Sequence, residues 1–94
     1  MEKAINEKYL LRFGEHVAKL RKANKLSQKD LAEKGQVDVS TVSRVERGLY
    51  NIKISTAVLL ASALDVSIER LFDLPGMDDS KEDIMTENKK GPIS

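Results

Sequence analysis

The stretch from Val39 to Arg47 carries the side chains best suited to specific contact with another molecule: hydroxyls at Ser40, Thr41 and Ser43, and guanidiniums at Arg44 and Arg47. On a helix turning about 100° per residue, with Val39 at zero, Val42 falls at about 300° and Val45 at about 240°. The inward direction is then about 270°. Ser43 at about 40°, Arg47 at about 80°, Ser40 at about 100° and Arg44 at about 140° all face away from it. Glu46, at about 340°, borders the inward side, so no carboxylate stands on the outer face. Such a face suits hydrogen bonding. An arginine offers two parallel donors that match O6 and N7 of guanine in a major groove, and small hydroxyls allow close approach. A merely solvated helix carries Glu and Lys at such positions, which favour hydration and i,i+4 pairs.

Nothing comparable supports catalysis. The 94 residues include no Cys and a single histidine, His16, which argues against a disulfide scaffold, a Cys/His zinc site, a Cys nucleophile or a His-centred triad. Glycines at 14, 35, 48, 76 and 91 lie too far apart for a phosphate-cradling loop. A chain of this length buries only about 60–65% of its unfolded surface, leaving little for a deep cavity. A binding module without enzymatic activity, cofactor or metal is therefore expected. The charged start MEKAINEKYLLR is unlike a secretory signal. The longest apolar run, Ala57 to Ala61, is far below the roughly 20 residues that cross a bilayer. The expectation is a cytoplasmic protein with no membrane partner.

Net charge says little, since 16 Lys+Arg oppose 15 Asp+Glu. Its placement says more. Residues 19–53 hold nine basic side chains against four acidic (Asp30, Glu33, Asp38, Glu46), a local excess of +5. This is a basic footprint of the kind that meets phosphate.

The elements that must position this face are helical, because the apolar spacing is helical almost throughout and no alternating stretch suggests a sheet. An all-α domain of five short helices follows. The first is expected over Glu7–Ala23, with Leu10, Phe13, Val17 and Leu20 as its buried stripe and His16 off it, exposed. Ser27 caps a second helix, Gln28–Lys34, with Asp30 favouring its positive start. Asp38 caps a third, Val39–Arg47, which Gly48 ends. Ser55 caps a fourth, Thr56–Leu64, and Ser67 a fifth, Ile68–Phe72, which Pro75-Gly76 terminates. The expected organisation is an N-terminal extension over 1–8, the folded domain over 9–74, and a flexible tail over 75–94 whose sparse apolar residues form no stripe. Ile68, Leu71, Phe72 and Leu74 form a natural patch for a second copy.

The segments LSQKDLA (26–32) and VSTVSRVERG (39–48) resemble the helix-turn-helix of the Cro and phage-repressor type, also called XRE-like. The resemblance extends from Phe13-Gly14 through LLASALDVSIERLF (59–72), so it covers all but the first dozen residues and the tail. It implies a compact five-helix lambda-repressor-like domain with the helix-turn-helix in helices 2 and 3. Val39, Ser40, Ser43 and Arg44 match positions that face bases. Gln28 matches a phosphate contact that also braces the recognition helix. Lys29, Thr41 and Arg47, with Tyr50, Asn51 and Lys53 in the following loop, fall to phosphate. Arg21 and Glu46 match a structural ion pair. At the sharp turn this sequence departs from the pattern, with Gly35-Gln36 in place of Ala-Gly. Either the left-handed residue is Gln36, at about 1–2 kcal/mol relative to Gly, or the turn shifts onto Gly35. A second departure is Lys25 after Asn24, where relatives often have Gly.

The resemblance implies sequence-specific binding of double-stranded DNA by a small transcriptional regulator, a repressor by expectation. One such helix covers only about four base pairs, so a homodimer on a two-fold operator is expected. An antitoxin with a protein-binding tail over 77–94 and a restriction-modification controller are alternatives with the same fold. A protein-interaction module that does not bind DNA is the alternative of another class.

Overall fold

The computed structural model describes the backbone of residues 2–74 and the side chains from residue 7 onward. Its five helices are α1 (Glu2–Ala23), α2 (Gln28–Gly35), α3 (Val39–Glu46), α4 (Ile54–Ala63) and α5 (Ile68–Leu71), with no strand among the described residues. The all-α expectation holds. The core is made of Phe13, Val17 and Leu20 from α1, Leu31 from α2, Val42 and Val45 from α3, Leu60 and Leu64 at α4, and Leu71 from α5.

α1 begins at Glu2, ahead of the expected Glu7, because the apolar stripe marks only where a helix is buried. The residues before it, EKAINEK, are mostly good helix formers, so the helix runs on N-terminal of the stripe. His16 is buried, not exposed as expected, at 4% relative accessibility. It lies about 40° past Leu20 on the wheel, at the edge of the stripe rather than off it. Its Nε2 donates to the Arg70 carbonyl at 2.9 Å, tying α1 to α5, since a carbonyl oxygen only accepts. Beside this bond Phe13 and Phe72 stack with centroids 5.1 Å apart.

Gly14 sets how closely α1 meets the reading helix. A Cβ there would collide with the backbone carbonyl of Val45 and lie 2.6 Å from that of Glu46, so only glycine lets α1 rest on the last turn of α3. α2 opens with a capping box: the Ser27 hydroxyl accepts from the Asp30 N–H and the Asp30 carboxylate accepts from the Ser27 N–H, both at 2.9 Å. It closes on Gln36, whose φ of 57° is left-handed. The turn is therefore unshifted, and Gln36 carries the strain. Lys25 and Asp65, at φ 58° and 59°, do the same at the turns before α2 and α5.

Two expected caps differ. Asp38 occupies the N-cap of α3 but its side chain makes no capping hydrogen bond. α4 starts at Ile54 after Lys53, not at Thr56 after Ser55; burial of Ile52 and Ala57 against the core on either side fixes its entry, and the hydroxyl does not. Ser67 does cap α5, accepting from the Arg70 N–H at 3.0 Å. Leu71 has no exposed surface and closes the core as part of α5, so it leaves the expected dimer patch. Ile68 at 39% and Phe72 at 47% remain exposed, with Leu74 half-buried against the core.

Candidate nucleic-acid interface

Val42 and Val45 are 0% and 1% exposed, which roots α3 in the core along one line. The opposite side opens to solvent: Val39, Ser40, Arg44 and Arg47 are exposed, while Thr41 and Ser43 are half-buried at its margins. Lys29 near the start of α2, and Asn51 and Lys53 in the loop after α3, are also exposed. Tyr50 is half-buried and packs on the core, and Gln28 is half-buried.

The acid of α3 is withdrawn from this face. Glu46 Oε2 accepts from Arg21 Nε at 2.6 Å, and its Oε1 from Arg21 Nη2 at 3.1 Å and Gln28 Nε2 at 2.9 Å. The side chains of Arg21 and Glu46 are 12% and 7% exposed. A two-point guanidinium–carboxylate contact is both strong and orienting. Arg21 Nη1 also donates to the Leu26 carbonyl at 2.8 Å. One guanidinium thus joins α1, the turn before α2, and α3, while Gln28 links α2 to the same carboxylate. One N–H of Gln28 is committed to this brace, and the nitrogen carries a second donor. The Leu26 link is a backbone acceptor with no side-chain signature, and the sequence reading missed it. The packing role of Gly14 was missed too, although the wheel places it on the side of α1 next to the stripe.

At the head of α2 the Asp30 carboxyl is held below its usual range by the hydrogen bond from the Ser27 N–H, with smaller help from the Ser27 hydroxyl and the Lys29 charge. Among the described residues no cluster of three His, Cys, Asp or Glu could hold a metal, and no helix is long and apolar enough to cross a membrane.

Two short helices joined by a tight turn, the second rooted by valines and presenting an acid-free polar face, define a helix-turn-helix DNA-binding regulator of the Cro and phage-repressor type. Residues 17–71 match the helix-turn-helix family model, and the chain belongs to that family. It is 36% identical over 63 residues to the control protein C.SmaI of Serratia marcescens, an alignment covering 67% of this chain and 75% of that one. It is 34% identical over 58 residues to the immunity repressor protein of Bacillus phage phi105, covering 62% of this chain but only 40% of that protein. Among solved structures, the restriction-modification controller protein C.AhdI from Aeromonas hydrophila superposes with a TM-score of 0.65 at 40% identity. That match covers 66% of this chain and 94% of C.AhdI.

Proposed function

We propose that this chain acts in the cytoplasm as a homodimer that places α3 in the major groove of a two-fold operator and represses transcription without any chemical step. Val39, Ser40, Ser43 and Arg44 read bases. Gln28, Lys29, Thr41, Arg47, Tyr50, Asn51 and Lys53 hold phosphates and supply the salt-sensitive share of affinity. Residues 9–74 form the working unit. The observation that carries this reading is the paired burial of Val42 and Val45 with the capture of Glu46 by Arg21 and Gln28, which leaves cations and hydroxyls as the polar groups on the outer face of α3. The exposed Ile68 and Phe72 supply the apolar contact for the second copy.

A second reading, control of a restriction-modification operon, is favoured by the likeness to C.AhdI over 94% of that protein's length, because the DNA-binding domain then suffices without another folded unit. A methyltransferase or restriction gene beside this one would favour it. The antitoxin alternative rests on residues 77–94, which lie outside the described residues, as does any protein partner bound there.

Selection from random oligonucleotides at two salt concentrations tests the main reading. It is expected to enrich a palindrome with half-site centres about 34 Å apart, or a multiple of that spacing. Recovery of no preferred sequence, or of an isolated half-site, would overturn it.

A further inference from the structure

We infer that Val39 reads the 5-methyl group of a thymine at one fixed position in each operator half-site. This rests on the DNA-binding reading above and deepens it by naming the chemistry of one contact. Val39 is the first residue of α3 and is 49% exposed. N-terminal residues of a recognition helix are those that reach base edges. On the wheel it stands at about 0°, some 40° from Ser43 and on the opposite side of Ser43 from Ser40 and Arg44, so it forms one margin of the same outward arc.

The residue type is informative at this place. The first turn of a helix favours acids through the helix dipole, and an exposed valine there gains nothing from it. Valine holds essentially one χ1 rotamer in a helix, so little side-chain freedom is lost when its methyls meet a surface. The major-groove edge of the base pairs has a single apolar feature, the thymine C5-methyl. Arg44 and the hydroxyls of Ser40 and Ser43 address only donors and acceptors, so none of them reads that methyl group.

Single thymines in one half-site of the selected operator are replaced by deoxyuridine, which deletes the methyl while keeping the pairing edge and O4. Binding is measured for the wild-type protein and for Val39→Ala, with a melting curve for each. At one thymine the wild-type protein is expected to lose about fourfold in affinity, the factor that one buried methyl is worth. Val39→Ala is expected to bind the two duplexes equally. Sequence-specific binding by the wild type with no uracil-sensitive position overturns this assignment alone, whether or not the variant folds. A penalty that persists undiminished in Val39→Ala also overturns it, by giving the methyl to another residue. Failure of the wild type to prefer any sequence overturns both this assignment and the DNA-binding reading.

Discussion

Substituting Glu46 by alanine removes the carboxylate that three donors share and leaves the Arg21 guanidinium with the Leu26 carbonyl as its remaining hydrogen-bond partner from that network. With the Arg21 side chain only 12% exposed, water reaches the stranded charge poorly. Breaking one side of a buried pair costs about 3–5 kcal/mol, against a total stability of about 5–15 kcal/mol for a natural domain. At about 4–8 °C per kcal/mol for a domain of this size, the melting midpoint should drop by roughly 12–40 °C. Operator binding at the wild-type working temperature should be abolished through unfolding, and should return on cooling to where the variant is folded. Calorimetry or circular dichroism gives the midpoint, and fluorescence anisotropy on labelled operator gives binding at each temperature. The double variant Arg21→Met, Glu46→Leu should recover much of the stability, because an apolar pair of similar size strands no charge. Glu46→Ala with wild-type binding and an unmoved midpoint would refute the argument. So would lost binding in a variant shown to be folded, which would assign the loss to the placing of α3 or to a direct contact and not to unfolding.

Gln36→Gly should relieve the left-handed strain at φ 57°, raising the melting midpoint by a few degrees, since the gain of about 1–2 kcal/mol is partly offset by glycine's greater unfolded entropy; a lowered midpoint would contradict it. Arg44→Ala should cost about 1–3 kcal/mol of binding and relax preference at one base pair, and equal losses on every sequence would count against its base-reading role. Lys53→Ala should weaken all sequences alike and shorten the slope of log K against log salt by about 1 per protomer, seen by titrating binding against salt. The folded Asp30 carboxyl lies below its usual range, so its contribution to stability is present above the ordinary aspartate range and is lost as pH falls through the folded value. Asp30→Asn should therefore lose stability relative to wild type near neutral pH and converge with it in acid; a constant difference across the acid titration would count against the capping hydrogen bonds as the cause.

Periodicity located all five helices, because each hides a line of apolar residues and each is interrupted by turn chemistry that a sequence displays. It misjudged ends where tertiary contacts outweigh local signals. Ser55 reads as a cap, yet the chain enters α4 earlier, between Ile52 and Ala57, which pack on the core. Leu71 and Ile68 look alike as apolar residues of one short helix, and only the packing of α5 separates the buried one from the exposed one. His16 was misread for the opposite reason. A polar side chain at the edge of a stripe is taken as solvated until an acceptor is found for it, and its acceptor is a main-chain carbonyl 54 residues away. The pairing of Arg21 with Glu46 was legible only through the family resemblance, because a separation of 25 residues falls outside any local rule.

A net charge of +1 would seem a poor basis for holding a polyanion, but a duplex meets a surface and not a sum. The Arg21–Glu46 pair removes one cation and one anion together, so it leaves the +5 excess of residues 19–53 unchanged. What it changes is location, since the single carboxylate of α3 is drawn into the protein while Arg44 and Arg47 stay outside. Among the described residues neither arginine enters an ion pair, so no internal carboxylate has to be displaced before either meets a phosphate or a guanine. The same bond that fixes the angle of α3 therefore also clears its field, and the two effects separate experimentally. Glu46→Gln removes the negative charge, which by itself favours a polyanion, while keeping one acceptor for Arg21. Weaker binding by the folded variant therefore means that lost orientation outweighs the gain in charge, and equal or tighter binding means that the remaining acceptor holds the angle of α3.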